Sequence, residues 1–430
     1  MAKNINQAGS YLKELLNKCS LEQFAERLLP KQHNPLSQLP KDFRATEAAV
    51  AARWTALAVG NETRDLIFDE YSSMHMLAYQ KNIENYVGTL RIPVGIAGPL
   101  RVNGMNAQGD FFLPLATTEA ALVASYSRGA KLITSAGGCA ALVLSQGVTR
   151  APGFAFERLV DVGQFLVWLL PQFEHLKKIA ETTTRYGKLE DMRVTVEGNH
   201  VYLIFEFSTG DASGQNMVTL ATDAIVTYVI DATPIKPKYH FLEANMSGDK
   251  KASAQSFLSV RGKKVCTEVV IPGSLVKKKL FTTAERMVDY WRMSAIGGVL
   301  SGTIGVQGHY ANGLAALFIA CGQDAACTAE ASVGVTRFEL TDSGDLYASV
   351  TLPNLIVGTV GGGTGLPSQR ACLDILGLAG AGKAAAFAEV CAATCLAGEL
   401  SIIGALCAGH FSRAHKHLAR SGPHVDTLAK

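Results

Sequence analysis

Side chains able to move protons or steady a developing charge stand in separate, glycine-marked settings: Glu119 in PLATTEAALVAS, Lys250 in SGDKKAS, Asp324 in CGQDAACTAE, and His410 and His415 in AGHFSRAHKH. A carboxylic acid kept neutral can donate a proton, and a lysine ammonium can polarise a carbonyl and stabilise the oxyanion that forms there. Glu119 follows Thr117 and Thr118, which are good helix-capping residues. It also opens a proline-free run to Lys131, so a helix is expected with Glu119 in its first turn. Its Ala, Leu and Val neighbours predict desolvation and a raised pKa, although an acid that merely complements the helix dipole fits the same position. Lys250 reads as a candidate electrophile or as part of a surface charge cluster. Asp324 follows the apolar run 313–321, where a buried acid needs a partner. Lys250 would serve, and a cap on the following helix is the plainer alternative. His410 and His415 are five apart, about 140° around a helix, which is poor geometry for a shared metal. One of them acting alone as a proton donor fits better, and no metal site is expected.

Other stretches are built to expose backbone to an anion. GDASGQN, residues 210–216, places glycines at a helix entry, and TVGGGTGLP, residues 359–367, is a second such loop. Thr184 and Arg185 offer a cation just before a strand pair. Ser125, Arg128 and Lys131, three apart, share one helix face that suits an anionic ligand or simply water.

The elements that must position these groups follow from pattern. With 430 residues and 48% hydrophobic content, the chain can bury two or three cores, which excludes a disordered or fibrous protein. A formal charge of +3, with no basic run longer than Lys277-Lys278-Lys279, gives no footprint for nucleic acid. Nine cysteines in largely apolar contexts read as reduced core thiols, and MAKNINQAGS lacks the apolar stretch of a signal peptide, so a cytoplasmic address is expected. Residues 390–409 approach the length of a membrane span, but Glu399 at the centre and the many Ala and Gly residues predict a helix packed inside the protein. Residues 1–82 read as helical. Across residues 152–241 the pattern gives a strand at 154–160, a helix at 163–176, a hairpin turning at EGN, a helix at 215–231 and a strand at 238–243. That βαββαβ order is the ferredoxin-like split pattern. The expected class is therefore α+β: a large helix-rich domain (83–151 and 242–430) carrying a small insert (152–241).

Taken together, ENYVG, RIPVGIAGPL, PLATTEAALVAS, GDASGQN, GDKK, GQDAA, GTVGGGTGLP and GELSIIGALCAGHFSRAH resemble the catalytic domain of the 3-hydroxy-3-methylglutaryl-coenzyme A reductase family, class I type, over residues 84–421. The resemblance implies an NADPH-dependent, four-electron reduction of the thioester to mevalonate and free coenzyme A, in two hydride steps with mevaldehyde held between them. By matching motif, Glu119 is the catalytic acid and Lys250 the carbonyl-polarising lysine. Asp324 is the aspartate coupling those two, and His415 is the proton donor to departing coenzyme A.

The same resemblance assigns Asp211, Ser213, Gly214, Gln215 and Asn216 to the cofactor, with Ser213 and Gln215 where methionines are usual. Gly361, Gly362 and Gly363 form the second cofactor loop, and Thr184 and Arg185 take the 2′-phosphate that distinguishes NADPH from NADH. Arg150, Asp249, Lys251 and Asn312 line the acyl site, and Ser125 and Arg128 the coenzyme A side. Two departures bear on the substrate. Glu243 replaces a serine facing the substrate carboxylate and would repel it without a compensating cation, and Arg292 stands near the place of a family lysine. Ser421 lies where eukaryotic members carry a regulatory phosphoserine. A form without their membrane anchor is implied, a homodimer or homotetramer with active sites at the subunit boundary and no nucleic-acid or membrane partner. The competing functions are oxidative, NAD-dependent breakdown of mevalonate on the same fold, and a catalytically silent coenzyme A or nucleotide binder.

Overall fold

The computed structural model describes residues 4–31 and 38–409, and the chain divides into two compact units, Met1–Thr89 and Leu90–Lys430. His410, His415 and Ser421 lie outside the described residues.

The first unit is helical, as its spacing predicts: α1 (Ile5–Leu16), α2 (Leu21–Leu28), α3 (Glu47–Leu57), α4 (Asn61–Ile67), α5 (Glu70–Met74) and α6 (Met76–Tyr79). Ser20 forms a capping box with Gln23 at the start of α2, and Thr46 caps α3. Arg53 on α3 is fully buried, yet its terminal nitrogens donate to the carbonyls of Asp42, Arg44 and Tyr86, and Trp54 donates to Val87 O at 3.0 Å. These bonds carry the unit past residue 82, because the strand-like tail 86–89 is held by α3 and by a bond from Thr89 N to Ile67 O.

The second unit is a mixed α/β fold around an eleven-stranded sheet. It opens with the hairpin β1 (Val94–Gly104) and β2 (Gln108–Ala116), then α7 (Leu122–Ser135) and β3 (Cys139–Arg150). Next come β4 (Gly153–Ala155), α8 (Leu159–Leu169), α9 (Phe173–Thr183), β5 (Lys188–Glu197), β6 (His200–Ser208), α10 (Gln215–Ala232) and β7 (Tyr239–Phe241). The chain continues through β8 (Gly262–Ile271), α11 (Gly273–Leu280), α12 (Ala284–Ser301), β9 (Gly305–Val306), α13 (Tyr310–Ala320) and α14 (Thr328–Ala331), and closes with β10 (Gly334–Leu340), β11 (Leu346–Leu355), α15 (Pro367–Ile375) and α16 (Ala384–Cys407). The strands run β7-β4-β6-β3-β8-β11-β10-β9, with β5 on the free side of β6 and β1 joining β2 to β3.

Strand β3 makes the connection between the two halves of the sheet. Its first part pairs with β8 from Ala140↔Glu268 to Gly147↔Gly262, and its last three residues pair with β6, ending at Arg150↔Phe205. Arg150 is thereby delivered to the seam. Residues 152–241 do give the order strand, helix, strand, strand, helix, strand, with antiparallel β4–β6, β4–β7 and β5–β6 pairs. Several boundaries differ from expectation, the last strand spanning only Tyr239–Phe241 and the first helical stretch running on to Thr183. The first strand stops at Ala155, and the helix expected at 163–176 begins at Leu159 and is interrupted at Leu170–Gln172, a 3-10 turn with Pro171 at its second residue. Proline has no N–H to continue an α-helical ladder.

The core forms around α16, nearly all of whose 24 residues are buried. It is the one described helix long and apolar enough to cross a membrane, and 89% of its apolar window is buried inside the fold. It packs on α7 at backbone contact: a Cβ on Gly129 would overlap the Ala397 carbonyl, and one on Gly398 would lie 2.7 Å from the Tyr126 ring. Its two buried acids are satisfied by loops. Glu389 accepts from Asn106 N at 2.9 Å and Ala107 N at 2.7 Å, and Glu399 accepts from Gly308 N at 2.8 Å, His309 N at 3.0 Å and Thr336 Oγ1 at 2.8 Å.

Candidate active site

Lys250 sits on an irregular turn after β7, in a left-handed conformation (φ 56°) next to another positive φ at Gly248. Its ammonium lies 2.8 Å from Asp324 Oδ2. Asp324 stands where α13 gives way to the 3-10 turn Ala325–Cys327 and also accepts from Ala326 N at 3.0 Å, so it is both an ion-pair partner and a cap. Asp324 is exposed where a buried acid was expected, because it stands on the turn that leaves α13, yet it has both the Lys250 partner and the capping role. The hydrogen bond that Lys250 donates to Asp324 raises the Lys250 pKa against a smaller opposing effect of burial, with the nearby Asp324, Cys327 and Asp249 adding to the rise. Burial pushes Asp324 upward, but Lys250, the Ala326 N–H and Gln215 together outweigh it and hold the carboxyl below its ordinary value. The pair is thereby kept charged.

Beneath the lysine turn runs a ladder of alternating charge. Arg150 contacts Glu243 at 3.4 Å and Asp249 at 3.0 Å, Arg261 contacts Asp249, and Arg261 Nε lies 2.8 Å from Glu330 Oε2. Burial drives Asp249 upward, and Arg261 and Arg150 more than reverse it. Glu243, expected to repel a substrate carboxylate, has its compensating cation in Arg150 and also accepts from Ala151 N at 3.2 Å and Asn245 N at 2.8 Å. Lys251 donates to Asp249 O at 2.7 Å, which braces the turn. Arg292, by contrast, pairs with Asp289 on the exposed side of α12. Arg261 and Glu330 escaped the sequence reading. The only signal was an arginine entering the strand GKKVCTEVVI and an acid on a short apolar helix after Asp324.

Glu119 departs from expectation. The helix starts at Leu122 rather than at Glu119, because Ala121 is left-handed (φ 71°) and Thr117 stays tied to Pro93 O, its hydroxyl accepting from Glu119 N at 3.0 Å. The Thr-Thr signal caps a turn and not the helix. Glu119 is exposed, and Asn312 Nδ2, on the first turn of α13, donates to its carboxylate at 3.3 Å. The desolvation expected for Glu119 is therefore not supplied by this chain alone. Asp324 lies beyond the opposite end of α13, so the rise per residue puts Asn312 and Asp324 roughly 15 Å apart. The single chain brings Lys250 and Asp324 together and leaves Glu119 elsewhere.

Glu119 lines a cavity of about 460 Å³ with Ser125, Arg128, His309, Asn312 and Ile402 among its walls. Ser125 Oγ is 2.8 Å from Ser401 Oγ, and Arg128 donates to Ser401 Oγ at 3.0 Å and Ser401 O at 2.8 Å, so α7 and α16 fix this wall jointly. Burial lowers the Arg128 pKa. Lys131 is exposed.

The glycine loops meet each other. Thr359 N donates to Asp211 O at 2.9 Å, and a Cβ on Gly358 would sit 2.5 Å from Ser213 N. Gly214, left-handed at φ 72°, admits the chain to α10, which begins with Gln215 and Asn216. Gln215 Nε2 lies 3.2 Å from Cys327 Sγ, and its Oε1 accepts from Arg261 at 3.3 Å, so the loop abuts the Lys250–Asp324 pair. Asp211 is turned to structure: its carboxylate accepts from Gly382 N at 2.7 Å and Ala384 N at 3.1 Å, where α16 begins. Gly210, Gly361 and Gly362, all at positive φ, face open space, as a cradle for a phosphate requires, while Gly363 packs against Gly322. Thr184 ends α9 and its hydroxyl accepts from Tyr186 N at 3.1 Å and Gly187 N at 3.2 Å, leaving Arg185 exposed. Gly210, Gly361 and Gly362 thus leave room for an anion, and Arg185 adds an exposed cation on the same unit.

A family model described as hydroxymethylglutaryl-coenzyme A reductase matches residues 49–420. The chain is 41% identical over 401 residues to a 3-hydroxy-3-methylglutaryl-coenzyme A reductase of Methanocaldococcus jannaschii, covering 92% of this chain and 98% of that one. It is 44% identical over 348 residues to the Pyrococcus abyssi protein of the same name, covering 79% and 85%. Among solved structures, a class II 3-hydroxy-3-methylglutaryl-CoA reductase from Streptococcus pneumoniae, bound to NADPH in open conformations, superimposes with a TM-score of 0.63 at 19% identity, over 91% of this chain and 98% of that one. At that identity the likeness concerns the fold.

Proposed function

The chain belongs to the hydroxymethylglutaryl-coenzyme A reductase family, and on that premise we propose that it reduces the hydroxymethylglutaryl thioester of coenzyme A to mevalonate and free coenzyme A, using NADPH. The observation that carries this reading is the Lys250–Asp324 pair at 2.8 Å, set against the loop that begins α10. NADPH, when bound, supplies the hydride. The protein's part is placement and electrostatics. Lys250, kept protonated by Asp324, holds the thioester oxygen and then the aldehyde oxygen as negative charge develops there. Glu119 donates the proton that the alkoxide needs, and His415 protonates the departing thiolate. Arg150, Asp249, Lys251 and Asn312 orient the acyl part, with Ser125 and Arg128 on the coenzyme A side. Gly210, Ser213, Gly214, Asn216, Gly361 and Gly362 cradle the dinucleotide, with Asp211 and Gly363 holding the two loops behind them, and Arg185 beside Thr184 takes its 2′-phosphate. Glu243 shares Arg150 with Asp249, so its charge is offset in part, and the substrate carboxylate is placed on the Lys251 and Asn312 side of the site.

The domain reading belongs with this function. Residues 152–241 form a ferredoxin-like, cofactor-binding insert in a larger acyl-binding domain (90–151 and 242–430, the segment 83–89 belonging to the helical unit), a reading supported by the strand order β7-β4-β6-β5. The working form is a cytoplasmic homo-oligomer in which Glu119 of one subunit meets Lys250 and Asp324 of another, since the two groups sit at opposite ends of α13 within one chain.

The test is reduced-nicotinamide oxidation with the hydroxymethylglutaryl thioester. Wild type turns over. Lys250→Ala loses about 100-fold or more in kcat, the size of effect seen when an oxyanion-stabilising group is removed. Arg185→Ala raises KM for NADPH by about tenfold and leaves NADH nearly unchanged, as loss of one charge-assisted phosphate contact predicts. Absence of turnover with wild type overturns the reading, and a preference for NAD with mevalonate reverses its direction.

A further inference from the structure

Among the described residues, the ion pair sealed most completely from water is Arg261 with Glu330, whose side chains are 1% and 0% exposed. Neither is in the proposed catalytic set. Replacing such a pair with apolar groups commonly leaves a protein as stable or more so, so its presence asks for a reason other than stability. Geometry provides one. The Arg261 guanidinium touches four separate segments: NH1 donates to Thr149 O at 3.2 Å, NH2 reaches Asp249 and Gln215 Oε1, the latter at 3.3 Å, and Nε lies 2.8 Å from Glu330. Thr149 is the last residue but one of β3, Asp249 precedes Lys250, Gln215 opens α10 behind the cofactor loop, and Glu330 sits on α14. Nε and the two Glu330 oxygens complete no aligned hydrogen bond, so the contact is one of charge. Burial raises the Glu330 pKa and Arg261 opposes the rise.

Lys250 is left-handed at φ 56°, a conformation that a residue with a Cβ keeps only when its surroundings over-determine it. Within the turn Lys251 N donates to Gly248 O at 3.2 Å and Lys251 Nζ to Asp249 O at 2.7 Å, and from beneath it Arg261, itself held by Glu330, grips the carboxylate one residue before Lys250. We propose that Arg261 and Glu330 are positioning residues for Lys250, which lock the Asp249–Lys250 turn so that the ammonium meets Asp324. The inference rests on the reading of Lys250 as the carbonyl-polarising group. The charged and titratable groups facing that ammonium are Asp324, Asp249 and Cys327, with Glu330 reaching the turn through Arg261.

The test reads Lys250 itself. The full-length protein is exposed to an amine-reactive reagent across a range of pH, and the Lys250 peptide is followed by mass spectrometry in wild type, Glu330→Gln and Arg261→Lys, with unfolding midpoints measured alongside. Glu330→Gln keeps the shape and removes the charge, and Arg261→Lys keeps the charge and removes the fork. In both, Lys250 loses its fixed contact with Asp324, its pKa falls, and it is labelled faster at a given pH. In turnover, kcat drops about 10- to 100-fold with KM for NADPH changed far less, the signature of a misplaced catalytic group. A purely structural pair would lower the unfolding midpoint while leaving the pH dependence of labelling as in wild type, and that result overturns the proposal. Should Arg261→Lys fail to fold, Glu330→Gln decides alone. Because labelling needs no substrate, an inactive wild type would count against the enzyme reading and not against this one.

Discussion

Lys250 and Asp324 show how one contact sets both the chemistry and the pH response. Asp324 raises the Lys250 pKa, and Lys250 helps depress that of Asp324 against its own burial. The two signs give opposite windows. The depressed aspartate contributes stability above its unfolded pKa, and this is lost as pH falls through its lower folded value. The raised lysine contributes stability below its unfolded pKa, and this is lost as pH climbs through its higher folded value. Asp324→Asn removes both contributions at once. Its unfolding midpoint is expected to flatten against pH at the acid and alkaline ends, and the alkaline limb of kcat moves to lower pH as Lys250 loses its partner. An unmoved alkaline limb would mean that another group sets it. Both side chains are 40% or more exposed, so the stability change is expected to be small and salt-sensitive.

At the scale of elements, the hairpin 188–208, the helix from Gln215 and the six-element order of residues 152–241 were legible, because alternation, turn residues and helical period are local. Groups on those elements were legible as chemistry where motifs marked them. What escaped was fixed by distant contacts: the left-handed Ala121 that delays α7 past Glu119, and Arg261 and Glu330, which acquire meaning only when β8 and α14 meet beneath the lysine turn. Asp211 belongs here too, read as a cofactor residue and found capping α16 from 171 residues away through Gly382 N. An acid at the start of a helix satisfies orphan N–H groups and the dipole. Asp211→Ala is therefore expected to cost about 0.5–2 kcal/mol of stability, by urea denaturation, in addition to any loss of NADPH affinity. A variant that weakens NADPH with no change in the urea midpoint would assign Asp211 to the ligand alone.

The whole molecule raises the question of how Glu119 reaches Lys250. Within one chain Glu119 bonds to the start of α13 and Asp324 lies past its end, so a helix length separates acid from lysine. The proposed homo-oligomer would bring them together, and α12 carries exposed apolar side chains on which its pairing can be tested: Met293, Ile296 and Leu300, spaced along one face, are 78%, 63% and 83% exposed. Apolar side chains clustered on the outside of a helix mark an interaction surface, and two-fold pairing of one such face with itself is the commonest form of assembly. Introducing charge there should prevent pairing, since a carboxylate has no partner in an apolar interface. Ile296→Asp with Leu300→Asp is expected to sediment as a folded monomer and to lose thioester reduction, while its Lys250 is still held by Asp324 of the same chain and keeps its labelling behaviour. Mixing that variant with the Glu119→Gln protein should restore nothing, because the altered face cannot pair. A fully active monomer would show instead that the acid and the lysine meet within one chain.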